Sequence, residues 1–134
     1  VVNYMGDDIV FLYKCNNQLT IGGLLFDGKL YPSADSREKL SYDLVKQYQC
    51  KGVLNAPFKS LFRLFRTGKV ESTKNRMASY ETMLSLMQAS NNIRMQYDSD
   101  IWLDVCQDTA ENIPSYQLMY GSIGSVTISL LTDN

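Results

Sequence analysis

Gly6-Asp7-Asp8 sets two adjacent carboxylates directly behind a glycine. Val1, Val2, Tyr4 and Met5 precede the triplet, and a β-rich run from Ile9 to Tyr13 follows it. Glycine takes backbone angles that other residues resist, so Gly6 suits a tight turn. The flanks predict a β-hairpin with both acids at its tip. Carboxylates are hard oxygen ligands, and a pair fixed on a turn suits Mg2+ or Mn2+. The plainer reading is a structural turn, because Asp bonds its own backbone and tolerates unusual angles. The apolar flanks favour the metal reading: two buried strands would push two acids outward.

A second group is basic. Lys59, Arg63, Arg66, Lys69, Lys74 and Arg76 share their stretch with one acid, Glu71. After Arg94 the chain has no Lys or Arg, while Asp98, Asp100, Asp104, Asp108, Glu111 and Asp133 follow. The net charge of −1 hides this asymmetry, which suits a basic strip facing an anionic partner. Other chemistries are excluded by composition. The chain has no His, which removes Ser-His and Cys-His nucleophiles. Cys15, Cys50 and Cys106 form no CxxC pair, so a zinc site is not expected. An odd number of scattered cysteines fits a reducing compartment. No apolar run approaches membrane-spanning length and no signal peptide is visible. The first residue is Val, so a processed, trimmed or partial chain is expected.

The elements that would position these residues follow from periodicity and breakers. Residues 1–13 read as strand, turn and strand. Leu19 to Leu30 is β-like, interrupted by Gly22 and Gly23, with Asp27-Gly28 as a hairpin turn between Leu24-Leu25-Phe26 and Lys29-Leu30-Tyr31. Ser33 or Asp35 would cap a helix to about Leu44, and Val45 to Leu54 reads as an interrupted strand. Pro57 would open a helix stopped at Gly68, with Phe58, Leu61, Phe62 and Phe65 on one face and Lys59, Arg63 and Arg66 on another. A helix from Ser72 or Thr73 to about Ser90 would carry Met77, Tyr80, Leu84 and Met87 on one side. Asp98 or Ser99 would cap a third through about Ala110, with Ile101, Trp102 and Val105 inward. Asn112-Ile113-Pro114 would start a fourth. The tail from Ser125 to Leu131 alternates and favours a strand, with a helix as the other option. Strands early and helices late predict an α+β fold in 134 residues.

In this order the pieces resemble the C-terminal part of a positive-strand RNA virus RNA-dependent RNA polymerase, in particular the alphavirus-like supergroup. Gly6-Asp7-Asp8 resembles the family's motif C hairpin. Leu44-Val45-Lys46-Gln47-Tyr48 resembles its lysine-bearing strand, motif D, and Tyr48-Gln49-Cys50-Lys51-Gly52 its motif E. Ala56-Pro57-Phe58-Lys59-Ser60-Leu61 with Gly68-Lys69 resembles the segment that opens the thumb, and Tyr97-Asp98-Ser99-Asp100-Ile101-Trp102 an acidic stretch before Trp within it. Ile9 departs from the usual Ser or Asn after the aspartates, and Lys51 interrupts the Cys-Gly of motif E.

The resemblance implies a palm part over residues 1–55, beginning with the hairpin, and a mostly helical thumb over 56–134. It implies templated transfer of nucleotides from NTPs to an RNA 3′ end by two metal ions, Mg2+ or Mn2+. Asp7 would be the direct ligand and Asp8 its support, Lys46 would protonate the leaving pyrophosphate, and Lys59, Arg63, Arg66 and Lys69 would steady the phosphate backbone. Partners implied are RNA template and product, NTP, the remaining fingers and palm, and other replicase subunits, in a replication complex of the host cytoplasm or in a virion. The motif A aspartate is not in the chain, so the site would need upstream residues. The alternative is a small α+β RNA-binding or protein-interaction module with a structural Asp-Asp turn, using the basic helix with Phe58 and Tyr80.

Overall fold

The computed structural model describes residues 3–6, 10–25, 28–30, 32–33, 35–68, 71–90, 99–121 and 128–131. It is an α+β protein divided into two compact units, Val1–Phe58 and Lys59–Asn134. The expected boundary lay three residues earlier, after residue 55. No helix among the described residues is long and apolar enough to cross a membrane.

The first unit is built on a hairpin, but not the expected one. Strands β2 (Val10–Cys15) and β3 (Gln18–Gly23) pair antiparallel from Cys15↔Gln18 to Val10↔Gly23. Their two-residue turn is Asn16-Asn17, with φ of 50° and 59°. Two consecutive left-handed residues match the twist of the strands they join, and Asn tolerates that region better than other side chains. Strand β1 (Asn3–Tyr4) pairs in parallel with β6 (Lys51–Gly52), and Val53 N–H donates to the Tyr4 carbonyl at 2.8 Å. The strand before Gly6 and the strand after Ile9 therefore have different partners. Strand β2 is also not buried: it is an edge strand, and Val10 and Phe11 are 46% and 43% exposed.

The sheet is completed by β7 (Asn55–Pro57), antiparallel to β3. Pro57 lies on an edge strand, where its missing N–H removes no ladder bond from the interior. Central β3 buries Leu19, Gly22 and Gly23, and a side chain at Gly23 would collide with the Met5 carbonyl. Phe26, Asp27 and Tyr31 of the expected Asp27-Gly28 hairpin lie outside the described residues. Strand β4 (Gly28–Leu30) pairs with β5 (Leu40–Tyr42), which occupies part of the predicted 33–44 helix. The segment read as an interrupted strand opens as a short helix, α1 (Leu44–Gln47). Asp43 caps it by accepting from Lys46 N–H at 3.0 Å, a local bond the strand reading ignored.

In the second unit, three segments read as helical are strands. Strand β8 (Leu61–Arg66) replaces the Pro57 helix, β9 (Thr73–Arg76) replaces the start of the next, and β10 (Ser115–Tyr120) replaces the one expected at Asn112. Central β10 is parallel to β8 from Ser115↔Leu61 to Tyr120↔Arg66 and antiparallel to β9. Phe, Tyr and β-branched residues accept either period, so the backbone partners decide.

Two expected helices are present, the first with a start later than Ser72 or Thr73. Helix α2 (Ser79–Ala89) starts where Glu81 reaches back to accept from Ala78 N–H at 2.8 Å, and α3 (Ser99–Asn112) includes the predicted span. Their inward positions were assigned correctly only in part: Met77 is buried and Met87, Trp102 and Val105 are half-buried. Tyr80, Leu84 and Ile101 are 68%, 53% and 66% exposed, whereas Thr82, Cys106, Thr109 and Ala110 are buried. The hydroxyls of Thr82 and Thr109 donate to the carbonyls of Ala78 and Val105, at 3.2 and 2.7 Å, which offsets their burial. Trp102 Nε1 donates to Ser90 Oγ at 2.9 Å and ties α3 to the end of α2. Met77, Ile113 and Leu118 complete the core. Of the tail, Ile128–Leu131 forms helix α4, the helical option, while residues 125–127 lie outside the described residues.

Candidate functional site

Asp7, Asp8 and Lys69 lie outside the described residues. The chain leaves β1 at Tyr4 and enters β2 at Val10, so strands flank the aspartates in sequence, though these two strands are not paired with each other. Among the described residues no group of three or more Cys, Asp or Glu is placed to hold a metal ion. The donor chemistry of Asp7 and Asp8 suits Mg2+ or Mn2+, since both supply carboxylate oxygens.

Lys46 is exposed in the last turn of α1, not on a strand. A cation there also interacts favourably with the helix C-terminus. Lys59 is exposed just before β8. The strand conformation separates the two arginines that a helix would have aligned. Side chains alternate along a strand, so Arg63 and Arg66 project from opposite faces of β8. Arg63 lies over the Phe65 ring, 4.7 Å from its centroid, and donates to Ser85 Oγ of α2 at 3.2 Å. Phe58 is buried and Tyr80 exposed, and they belong to different units.

What the fold does gather is a set of cations and rings on the face of the second unit's sheet that carries Arg66. Register and alternation put Phe62, Leu64 and Arg66 of β8 beside Tyr116, Leu118 and Tyr120 of β10, with Arg76 and Lys74 of β9 on the far side. The rings of Phe62 and Tyr116 stack with centroids 5.4 Å apart. Lys74 Nζ and the Arg76 guanidinium lie 4.7 and 5.2 Å from the Tyr116 centroid, and Arg76 donates to the Tyr116 hydroxyl at 3.2 Å. A cation over a ring is attracted by its electron-rich face, so Tyr116 orients both positive groups. Arg66 and Arg76 are exposed, as is Leu64 at 60%, while Leu118 closes the centre of the face.

Lys74 and Arg76 belong to the basic stretch evident in the sequence, but a helix start there hid their pairing. The available signal was the alternation Tyr116-x-Leu118-x-Tyr120 after Pro114, which marks a strand. Comparison of the chain with protein-family models, curated proteins and solved structures gives no match.

Proposed function

We propose that the chain is the C-terminal portion of a viral RNA-dependent RNA polymerase, which completes its active site with upstream residues. The observation that carries this reading is Gly6-Asp7-Asp8, flanked in sequence by strands β1 and β2 within a strand-rich unit. Asp7 and Asp8 would hold Mg2+ or Mn2+, which when bound would activate the attacking hydroxyl and neutralise the triphosphate. Lys46, exposed at the end of α1, is the candidate proton donor to the leaving pyrophosphate. RNA and NTP are the partners, with phosphate contacts supplied by exposed cations such as Lys59 and Arg66.

A test requires the protein with its upstream segments. Asp7→Ala should abolish nucleotide incorporation in Mg2+ and in Mn2+ while leaving RNA binding within about twofold, because phosphate contacts rather than these acids carry affinity. Incorporation at the wild-type rate in that variant would overturn the proposal. A module that only binds RNA is the second reading, favoured by the cations gathered at Tyr116. It expects Asp7→Ala to be neutral throughout and no second aspartate motif upstream.

A further inference from the structure

We infer that the Phe62–Tyr116 face of the second unit is a binding surface for the backbone of single-stranded RNA, separate from the chemistry proposed for Asp7 and Asp8. The inference starts from preorganisation. Two cations from β9 converge on one ring, and Arg76 is further fixed by its bond to the Tyr116 hydroxyl. A guanidinium held in a fixed orientation presents its remaining N–H groups to a phosphate without first losing side-chain freedom. Arg66 adds a third positive group two strands away on the same face. The charge is therefore spread across the strands and complements a polyanion better than a single small anion.

The apolar part of the face selects the kind of polyanion. Phe62 is half-buried and Leu64 is 60% exposed on β8, the strand that carries Arg66, with Tyr116 and the buried Leu118 of β10 separating them from Arg76 and Lys74 of β9. In a duplex the base faces are stacked inside and would gain nothing from these side chains. In a single strand the bases are free to lie against them. Tyr116 already has Phe62 and the two cations against its ring, so its part is to orient cations rather than to stack a base. Arg63 stays out of this surface, because alternation sends it to the opposite face and Ser85 accepts its hydrogen bond.

The test is fluorescence anisotropy with a labelled oligouridylate and a self-complementary RNA duplex of equal length, each titrated with the 134-residue chain at several salt concentrations. The double variant Lys74→Ala/Arg76→Ala should weaken oligouridylate binding about tenfold or more and flatten the dependence of log affinity on log salt by about 1.4, the share of two phosphate contacts on a single strand. Trp102 fluorescence and far-ultraviolet circular dichroism check that the variant is folded. Leu64→Ser, at an exposed position, removes the apolar contact with every charge kept and should also weaken oligouridylate. Lys39→Ala removes one exposed charge from the first unit and should change affinity less than about twofold. A loss per removed charge as large for Lys39→Ala as for Lys74→Ala/Arg76→Ala would reduce the effect to general charge attraction and overturn the inference. So would duplex binding as tight as single-strand binding, or an unchanged affinity in the folded double variant. Asp7→Ala should leave oligouridylate binding intact, so this surface and the polymerase reading can each fail alone.

Discussion

The two units hold three-stranded sheets of opposite character. In the first, β2 and β3 are neighbours in the chain, joined by two asparagines, and β2 lies exposed at the edge. In the second, the central strand β10 comes last, and its partners β8 and β9 both precede the two long helices. The first sheet is specified by a turn. The second is specified by a strand that must find distant partners and bury its centre. Loop closure has to precede any return from such contacts, so β10 depends on packing where β2–β3 depends on local geometry.

The largest expected effect tests the packing side. Leu118 is 1% exposed at the middle of β10. Leu118→Ala should destabilise the second unit by about 2–5 kcal/mol, the range for truncating a buried leucine. Trp102, the single tryptophan and a half-buried member of that unit, reports the transition by fluorescence in urea. Val10→Ala on β2, at 46% exposure, should cost no more than about 0.5 kcal/mol by comparison. Equal costs would remove the distinction between the sheets.

The turn gives a smaller effect of the opposite kind. Asn17 has φ of 59° in a loop with no residues to spare. Asn17→Val puts a β-branched side chain in the left-handed region and should cost about 1–2 kcal/mol, whereas Asn17→Gly should be neutral or slightly stabilising. Amide hydrogen exchange along the β2–β3 ladder reads both. A valine that exchanges like wild type would show that the strands, not the turn, fix this hairpin.

The same contrast explains what could be read from residues alone. Helices α2 and α3 were legible because each is long and periodic, with Ser99 at the start of α3, whereas the start of α2 was placed too early and the Glu81 signal was missed. The α+β class was legible for the same reason. Strand β8 was not, because Leu-Phe-Arg-Leu-Phe-Arg satisfies a helical face and a paired strand equally well, and only Ser115 to Tyr120 decides between them. The hairpin at Gly6 had convincing local chemistry, yet β1 found its partner at Lys51–Gly52. The Asn16-Asn17 turn was present as a local signal and was missed beside the more familiar Gly6 and Asp27-Gly28. At the site level the density of basic residues was legible. Their faces were not, since moving from a helix to a strand sends Arg63 and Arg66 to opposite sides and brings Arg76 to Tyr116.

The smallest effect separates the units by their thiols. Cys15 is exposed at the end of β2, while Cys106 is buried on α3 and its burial raises the thiol above the ordinary value of 9.0. Burial disfavours the thiolate, so in the folded state Cys106 keeps its proton at a pH where the unfolded chain has lost it. Above pH 9 the unfolded state therefore binds fewer protons than the folded state, and stability falls as pH rises through that window. Below 9 both states are protonated and the contribution is constant. Urea midpoints followed by Trp102 should thus decline more steeply between pH 8.5 and 10 in the wild type than in Cys106→Ala, which has no thiol to titrate at that position. In the native protein an aromatic disulfide reagent at neutral pH should consume Cys15 rapidly and Cys106 only as fast as the second unit opens, because attack needs both thiolate and access. Reaction of Cys106 at the rate of Cys15 would place the buried side of α3 among the easily opened parts of the chain, and the second sheet would lose the packing that distinguishes it from the first.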